Sequence, residues 1–528
     1  MKSRPANDVV ERATTLSRLS ALPVPVALVS IVCAVVATTW SARTHSMLLY
    51  GDAQSHLNIA RHVTDGLRPG LVQLGSVWLP LPHILLVPLV ASTWMWHSGA
   101  AGAIVGGTCF VYSAVRIYTL VDELTGSRIG AWCAFGVYMA NLNLLYLQST
   151  ALTEPVLLAF LVGATFHLAR WMRTRSVRSL AIAGVLTFCA TLSRFDGWAF
   201  LLAAATIVMV WTWVGRRQPK EVEANALVFV AIGGYGIVLW LLYNLIIFHD
   251  PLYFMDSGAS AQSQQAALLH VGMLSTKGDL LRSTLTYGWA VVDLLGPVVA
   301  AAGAVCVIGL ALARGLARRR TVAVLALLAA PVLFNVVSLW LGQSTLRVPQ
   351  VAPYGMWNDR YGIMALPLAA VALGAVVGRW RLFAPVVVAV AALGVAMMAT
   401  STPLTIKDGR VGISSATAEH PDTAATYLHR NYRGGEVLAD DSVASPFMFE
   451  SGLDLKQFVT IGFEPWYDDA LRAPASTVAW VVTVGSDAVF ADMAAHPERF
   501  SRFRLASTWG LVRLYRLQPV GGQRSRII

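Results

Sequence analysis

Charge is scarce in this chain. Only 13% of its 528 residues are Asp, Glu, Lys or Arg, while 56% are hydrophobic, and the mean hydropathy is +0.59. A soluble protein of this size needs more charge to cover its surface. Successive apolar runs of about 20 residues are instead typical of transmembrane helices. The composition therefore excludes the soluble classes and predicts a polytopic α-helical membrane protein.

Cysteine is sparse too, and its five positions are isolated from one another inside apolar runs. A zinc site or a disulfide framework would bring its cysteines in close pairs, so we expect buried, inert thiols. The net charge of +11 would suggest a nucleic-acid partner in a soluble domain. Because the basic residues fall in short connections between apolar runs, no nucleic-acid partner is predicted.

We predict about eleven transmembrane spans. They lie near residues 23–40, 99–121, 130–148, 154–170, 179–193, 197–214, 224–247, 287–313, 321–341, 362–378 and 382–400. The polar stretch 1–22 and the long apolar run after it predict an uncleaved first span. The stretch 79–90 is shorter than a span and contains three prolines, so we expect a re-entrant or interfacial segment.

The connections between these spans are of two kinds. Those within 170–178, 215–220, 314–320 and 379–381 are short and Arg-rich, and the positive-inside rule places them in the cytoplasm with the N-terminus. The other set then faces the exterior of the plasma membrane. It holds Asp52, Glu154, Arg194, Asp196 and the loops 249–265 and 347–361, so the unusual polar residues are predicted to lie at one interface.

The composition becomes mixed polar and apolar after residue 400, on the exterior side by parity. We predict a helix at 421–431, strands at 436–440 and 478–484, a helix at 487–495, and two strands within 504–517. This alternation suffices for a small α/β domain. The predicted organisation is thus a transmembrane domain at 1–400 and an extracytoplasmic α/β domain at 401–528.

Asp52 is the first candidate for chemistry. A carboxylate beside an apolar wall can act as a general base toward an attacking hydroxyl, although Asp after Gly51 could also simply cap a helix. His56 follows four residues later, on the same face of the predicted helix. The pair could be half of a divalent-metal site, or His56 could be a structural histidine.

The other candidates each have a structural alternative. Glu154, in Thr153-Glu154-Pro155, could be a second active-site carboxylate or only a favourable helix start. Arg194 could bind phosphate, or it could form a self-neutralising pair with Asp196 at a turn. Arg360 with Tyr361 could clamp a lipid-linked phosphate, or they could be a snorkelling Arg and a belt Tyr. Tyr253 lies in a loop whose aromatics could line an interface.

Together these pieces resemble a GT-C glycosyltransferase. The motifs are Tyr50-Gly-Asp52, Leu152-Thr-Glu-Pro155, Arg194-Phe-Asp-Gly-Trp198, the stretch 240–254, and Asn358-Asp-Arg-Tyr-Gly362. They are similar to the dolichyl-phosphate-mannose mannosyltransferase and aminoarabinose-transferase-like group. The chain departs from oligosaccharyltransferases because its C-terminal region has no Trp-Trp-Asp-type motif. It also departs from many protein mannosyltransferases because Ala53, not Glu, follows Asp52.

The resemblance implies transfer of a hexose or pentose from a polyprenyl-phosphate donor to a hydroxyl of an envelope glycan, glycolipid or protein. It implies that Asp52 activates the acceptor and that Glu154 orients acceptor or donor. Arg360 and Tyr361 would hold the lipid phosphate, with Arg194, Asp196, His56 and Tyr253 as further substrate-binding candidates. A divalent cation is optional. The alternative is a transporter or flippase of a lipid-linked or small polar solute, although carriers usually place ionisable residues near mid-membrane and show two similar halves.

Overall fold

A computed structural model of the chain describes residues 23–256, 265, 269, 272, 274–313, 316–400, 403–416, 421–461 and 466–518. The predicted N-terminal stretch 1–22, residues 257–264 of the exterior loop, and residues 314–315 of one Arg-rich connection lie outside the described residues.

The part of the chain before residue 400 is helical. Its helices are α1 (Val24–Arg43), α2 (Gly51–His62), α3 (Leu81–Val90), α4 (Thr93–His97), α5 (Ala100–Thr125), α6 (Arg128–Met139), α7 (Leu142–Leu147), α8 (Glu154–Thr174), α9 (Val177–Thr191), α10 (Asp196–Arg216), α11 (Pro219–Phe248), α12 (Tyr253–Asp256), α13 (Leu280–Leu295), α14 (Pro297–Leu312), α15 (Leu316–Leu341), α16 (Leu366–Arg379) and α17 (Ala384–Ala399). Short 3₁₀ helices occur at Leu71–Leu74, Asp359–Ala365 and Arg381–Phe383.

Within the described ranges, eight helices are long and apolar enough to cross a membrane, and the number rises to nine if α13 and α14 count as one broken span. This confirms the polytopic helical class. Two of the eleven predicted spans, at 130–148 and 179–193, are not among these candidates because their helices are too short. The span predicted at 130–148 is divided at Asn141, whose side chain accepts a hydrogen bond from Leu144 N at 2.8 Å and starts α7. The 15-residue α9 extends only about 22 Å, less than the roughly 30 Å hydrocarbon core.

The span predicted at 287–313 is broken into two helices. Helices α13 and α14 meet at an angle of 115°. The break falls at Gly296, which has φ 78° and ψ 145°, immediately before Pro297. Proline has no N–H to donate to a preceding carbonyl and disfavours helical geometry in the residue before it, so α13 ends there.

One end of the helical bundle is held together by ion pairs of a single buried carboxylate. At one end of the bundle, Glu123 near the end of α5 is 7% exposed and binds Arg173 of α8, whose Nη2 donates to Glu123 Oε2 at 2.9 Å. Arg320 of α15 approaches the same carboxylate, with Nη1 3.7 Å from Oε1. Two of the Arg-rich connections that were predicted to share one side of the membrane therefore meet at one carboxylate.

The C-terminal part is a small α/β unit. Its elements are α18 (Leu404–Ala416), α19 (Pro421–Asn431), β1 (Val437–Leu438), α20 (Asp441–Glu450), β2 (Phe458–Val459), α21 (Trp466–Arg472), α22 (Pro474–Thr477), β3 (Trp480–Val484), α23 (Ala488–Ala495), β4 (Phe503–Trp509) and β5 (Val512–Leu517). The sheet order is β2-β1-β3-β5-β4, with β1 parallel to β2 and β3, and β5 antiparallel to β3 and β4. The predicted helices and strands are confirmed, while α18, α20, α21, α22 and β2 were not predicted.

This α/β unit packs directly on α2, the short helix between the first two spans. Asn58 Nδ2 donates to Ser445 O and Oγ of α20 at 3.1 and 3.0 Å, and Trp96 Nε1 donates to Asn58 Oδ1 at 3.1 Å. The guanidinium of Arg68 lies 3.7 Å from the centre of the Trp466 ring. Helix α2 is therefore held between the helical bundle and the C-terminal unit.

Candidate functional site

A chain of alternating charges joins four separate segments at one end of the bundle. Arg360 Nε donates to Glu154 Oε1 at 3.1 Å, and Arg360 Nη2 pairs with Asp52. Arg194 Nη1 donates to the same Glu154 Oε1 at 3.1 Å, and its Nε donates to Asp196 Oδ2 at 3.1 Å. The order is therefore Asp52, Arg360, Glu154, Arg194, Asp196. Three carboxylates and two guanidiniums leave this cluster with one unit of negative charge.

Close helix packing positions the two central residues of this cluster. A Cβ on Gly106 of α5 would lie 2.4 Å from Gln148 O, so only glycine lets α5 approach the segment that leads to Glu154. A Cβ on Gly362 would lie 2.2 Å from Ala290 O, so glycine likewise allows the 3₁₀ helix with Arg360 to pack on α13. Glu154 and Arg360, which are 206 residues apart in sequence, are thereby brought within hydrogen-bond distance.

Each charged candidate had a purely structural alternative, and the structure contradicts some of these alternatives and confirms others. The N-cap of α2 is Tyr50, and no side chain caps this helix, so the capping alternative for Asp52 is wrong. Helix α8 does begin at Glu154 beside Pro155, but the carboxylate binds two guanidiniums rather than the helix N-terminus. The alternative of a snorkelling Arg360 is wrong, because its side chain is 5% exposed between two carboxylates. The predicted pair of Arg194 and Asp196 forms and extends to Glu154.

The charged cluster lines a cavity of about 180 Å³. Its wall includes Asp52, His56, Trp78, Glu154, Arg194, Asp196, Asn335, Arg360 and Tyr361. The side chain of Asp52 is 41% exposed, whereas that of Glu154 is 1% exposed. The Tyr361 ring lies 4.8 Å from Arg194 Cζ and 5.2 Å from Arg360 Cζ, so it packs against both cations. The cavity thus offers one accessible carboxylate beside two fixed guanidiniums.

Burial and neighbouring charge act together on Arg194. Burial alone would lower the pKa of its guanidinium, but the carboxylates of Asp196 and Glu154 raise that pKa above its ordinary value. Asp196 is also fixed from the other side, because Asn335 Nδ2 donates to its Oδ1 at 2.8 Å. Arg194 therefore stays charged at every physiological pH and has a fixed orientation.

His56 enters the cavity wall as a neutral ring. Burial, followed by the charges of Arg360 and Arg194, lowers its pKa to about 3. Its Nδ1 lies 2.8 Å from His83 Nε2, and its ring packs 4.6 Å from that of Trp78. His83 is fully buried, and its Nδ1 has no hydrogen-bond partner in the described structure. A buried N–H without a partner is rarer than a buried acceptor without one, so the favoured arrangement has His83 Nε2–H donating to His56 Nδ1. His56 then carries its proton on Nε2.

Several solved structures are similar to this chain. The Archaeoglobus fulgidus oligosaccharyltransferase in complex with Zn and sulfate is 13% identical over 92% of this chain and 73% of its own, with a TM-score of 0.45. Its apo form is 13% identical over 93% and 74%, with a TM-score of 0.49. ArnT from Cupriavidus metallidurans in the apo state is 13% identical over 88% and 92%, with a TM-score of 0.41.

Both neighbours are GT-C glycosyltransferases, the class that the sequence resembles. No protein-family model matches the chain, and no curated protein matches it.

The structure adds residues to the predicted site and separates one from it. Tyr50 and Asn335 contact the cluster, and His83 contacts His56 in the cavity wall. None of the three was predicted as a site residue, and His83 lies within the stretch 79–90 that we interpreted as a re-entrant or interfacial segment. Tyr50 packs its ring 4.8 Å from Arg360 Cζ. Tyr253 is not among the described residues that line the cavity, because its ring stacks on Phe248 at 4.5 Å.

The carboxylates of the site are engaged by arginine. In the part of the chain that the structure describes, no group of three or more His, Cys, Asp or Glu side chains is arranged to hold a metal ion. Asp52, Glu154 and Asp196 each bind a guanidinium instead.

Proposed function

We propose that this chain is a GT-C type glycosyltransferase that moves a hexosyl or pentosyl group from a polyprenyl-phosphate donor to an acceptor hydroxyl. The carrying observation is the pairing of one accessible carboxylate, Asp52, with a buried guanidinium, Arg360, in the wall of a small cavity. Such a site offers a base for the acceptor and a cation for the leaving phosphate at adjacent positions.

The proposed step is a single inverting displacement. The acceptor O–H gives its proton to Asp52 while its oxygen bonds to the anomeric carbon of the sugar. The bond between that carbon and the phosphate oxygen breaks, and its electron pair leaves with the polyprenyl phosphate. Arg360 and Arg194 are placed to balance the charge on that phosphate, because a guanidinium fork matches two phosphate oxygens.

Donor binding would also release the base. In the described structure the guanidinium of Arg360 occupies one oxygen of Asp52. A bound phosphate competes with Asp52 for that guanidinium, so donor binding frees the carboxylate to accept a proton. Glu154, which holds Arg360 through Nε and Arg194 through Nη1, would keep both cations in position through this exchange.

The cavity and the orientation of the chain fit this assignment. A volume of about 180 Å³ is suited to one sugar unit rather than to a whole lipid-linked oligosaccharide. The Arg-rich connections support a plasma-membrane orientation with a cytoplasmic N-terminus and an extracytoplasmic C-terminal unit. Envelope glycan, glycolipid and protein hydroxyls are the acceptor classes, and mannose is the sugar that the mannosyltransferase resemblance suggests first.

Purified protein incubated with a radiolabelled polyprenyl-phosphate sugar tests the proposal. We expect the wild-type chain to consume the donor and Asp52→Asn to lose about 10²- to 10⁴-fold of that activity, as removal of a general base does. Asp65→Asn is the matched control, because Asp65 follows the same helix and pairs with Arg61, away from the cavity. Donor consumption by Asp52→Asn at the wild-type rate, or none by the wild type with any sugar, would contradict the proposal. A transporter would move the donor without consuming it.

A further inference from the structure

A second and larger cavity lies beyond α2 from the charged cluster. It encloses about 1320 Å³ and opens as a groove between α1 and α5. Asp52 and His56 of α2 line the charged cavity, whereas Gln54 lines the groove. Residues two apart on a helix point about 200° apart, so α2 separates the two cavities. Most of the groove wall is apolar, from Ile31 and Val35 on α1 to Ile104 and Val111 on α5.

The groove is about as deep as one leaflet of a bilayer. Between Ile31 and Arg43, α1 rises about 18 Å, and between Ala100 and Val111, α5 rises about 17 Å. Half of a hydrocarbon core is about 15 Å thick. The ionisable residues of its wall, which are Arg43, His45, His97 and Glu450, are confined to one end. The groove therefore has the polarity of a lipid molecule, with a polar end at the membrane surface and an apolar end toward its centre.

The polar end carries a cation that is available to an anionic headgroup. Arg43 is the last residue of α1, is exposed, and pairs with none of the described carboxylates. Glu450, the carboxylate in this part of the wall, accepts a hydrogen bond from Gln54 Nε2 at 3.4 Å. The Arg43 guanidinium suits a phosphate, because its donors match two phosphate oxygens. Neither water nor a polar peptide suits the apolar wall below it.

We propose that the groove between α1 and α5 binds one glycerophospholipid from the leaflet nearest the charged cluster. Its acyl chains lie along Val35 and Ile104, and its phosphate lies at Arg43. This site is separate from the proposed sugar-transfer site and does not depend on that function. Because Gln54 contributes to its wall, the bound lipid supports the face of α2 opposite Asp52.

Adjacent valines of α1 provide a matched pair of variants. Val35 lines the groove, and Val36 does not; they are 58% and 62% exposed. The protein is reconstituted with phosphatidylglycerol and phosphatidylethanolamine, re-extracted in mild detergent, and examined by native mass spectrometry. We expect one phospholipid retained per wild-type chain, at least about fivefold less in Val35→Trp, and wild-type retention in Val36→Trp. Arg43→Gln should lower retention by about threefold or more, because it removes the phosphate contact.

A second measurement keeps the test decisive if Val35→Trp does not fold. A photoreactive phospholipid added to the wild-type chain should crosslink within Ile31–Arg43 or Ala100–Val111, as mapped by peptide mass. The proposal is overturned if the wild type retains no phospholipid, if both valine variants lose it equally, or if Arg43→Gln retains it unchanged. A retained lipid without phosphate, or a second copy of the chain in the groove, would also overturn it.

Discussion

Arg360 binds two carboxylates in different surroundings, and the two contacts should differ in strength. Its Nε donates to Glu154, which is 1% exposed, and its Nη2 pairs with Asp52, which is 41% exposed. Water screens an exposed ion pair, so such pairs are coupled by only about 0.2–1 kcal/mol. A buried pair is screened far less, and removing one partner leaves a charge in a low-dielectric site, at a cost of about 3–5 kcal/mol.

We therefore expect Glu154 and Arg360 to be coupled by about 2–3 kcal/mol, and Asp52 and Arg360 by less than about 1 kcal/mol. The first value lies below the full cost of an unpaired buried charge because Arg194 also donates to Glu154 Oε1 and remains when Arg360 is replaced. Arg360 thus has two coupling free energies, and the exposure of its two carboxylate partners predicts that the one with Glu154 is the larger.

Two double-mutant cycles measure these couplings. Arg360→Gln is combined with Glu154→Gln in one cycle and with Asp52→Asn in the other, and the free energy of unfolding is obtained by SDS titration in mixed micelles. Asp52→Asn alone should leave this free energy within about 1 kcal/mol of the wild type while lowering sugar transfer by about 10²- to 10⁴-fold. A coupling of Asp52 with Arg360 that equals or exceeds that of Glu154 would refute the reasoning from burial.

Three further predictions concern the surroundings of the site. His83→Leu should lower sugar transfer about tenfold, whereas His83→Gln, which keeps a donor toward His56, should stay near wild type in the same assay; equal losses would contradict the proposed proton position. Gly362→Ala should destabilise the protein by about 1–3 kcal/mol in SDS titration, because the added Cβ would lie 2.2 Å from Ala290 O, and an unchanged midpoint would contradict this close contact. Burial lowers the pKa of His62 to about 4, so below pH 6.5 the unfolded chain takes up a proton that the native chain refuses. Stability should fall by up to ~1.4 kcal/mol per pH unit from pH 6.5 to 4, and His62→Gln should remove that share of the slope; an unchanged slope would count against it.

The positions of the charged candidates at span ends followed from the sequence. Apolar runs set the spans, and Arg-rich connections set which ends share a side, so Asp52, Glu154 and Arg360 could be assigned to one interface. That Glu154 binds both Arg360 and Arg194 could not be predicted. It depends on helix contacts at Gly106 and Gly362, and a glycine in an apolar run does not indicate its partner.

The sequence contains a local signal for each of the two helix breaks that we did not predict, but none for the contact between α2 and the C-terminal unit. Gly296-Pro297 is a common helix break, but the apolar run continues through it, so hydropathy favoured one span. The Asn-capped start of α7 divided a second predicted span in the same way. The contact of Asn58 with Ser445 joins positions 387 residues apart, and no local pattern in either segment predicts it.

Asn58 is synthesised long before its partner Ser445, so their contact forms late during translation. A ribosome adding about 5–20 residues per second needs about 20–80 s to extend the nascent chain from Asn58 to Ser445, 387 residues later. Until then, the amide of Asn58 lacks the acceptors that it binds in the finished protein, and the helix with Asp52 has only one of its two supports. Truncated chains that end before Ser445 should therefore be recognised by quality-control proteases, and the proposed sugar transfer should begin only after Ser445 has been synthesised.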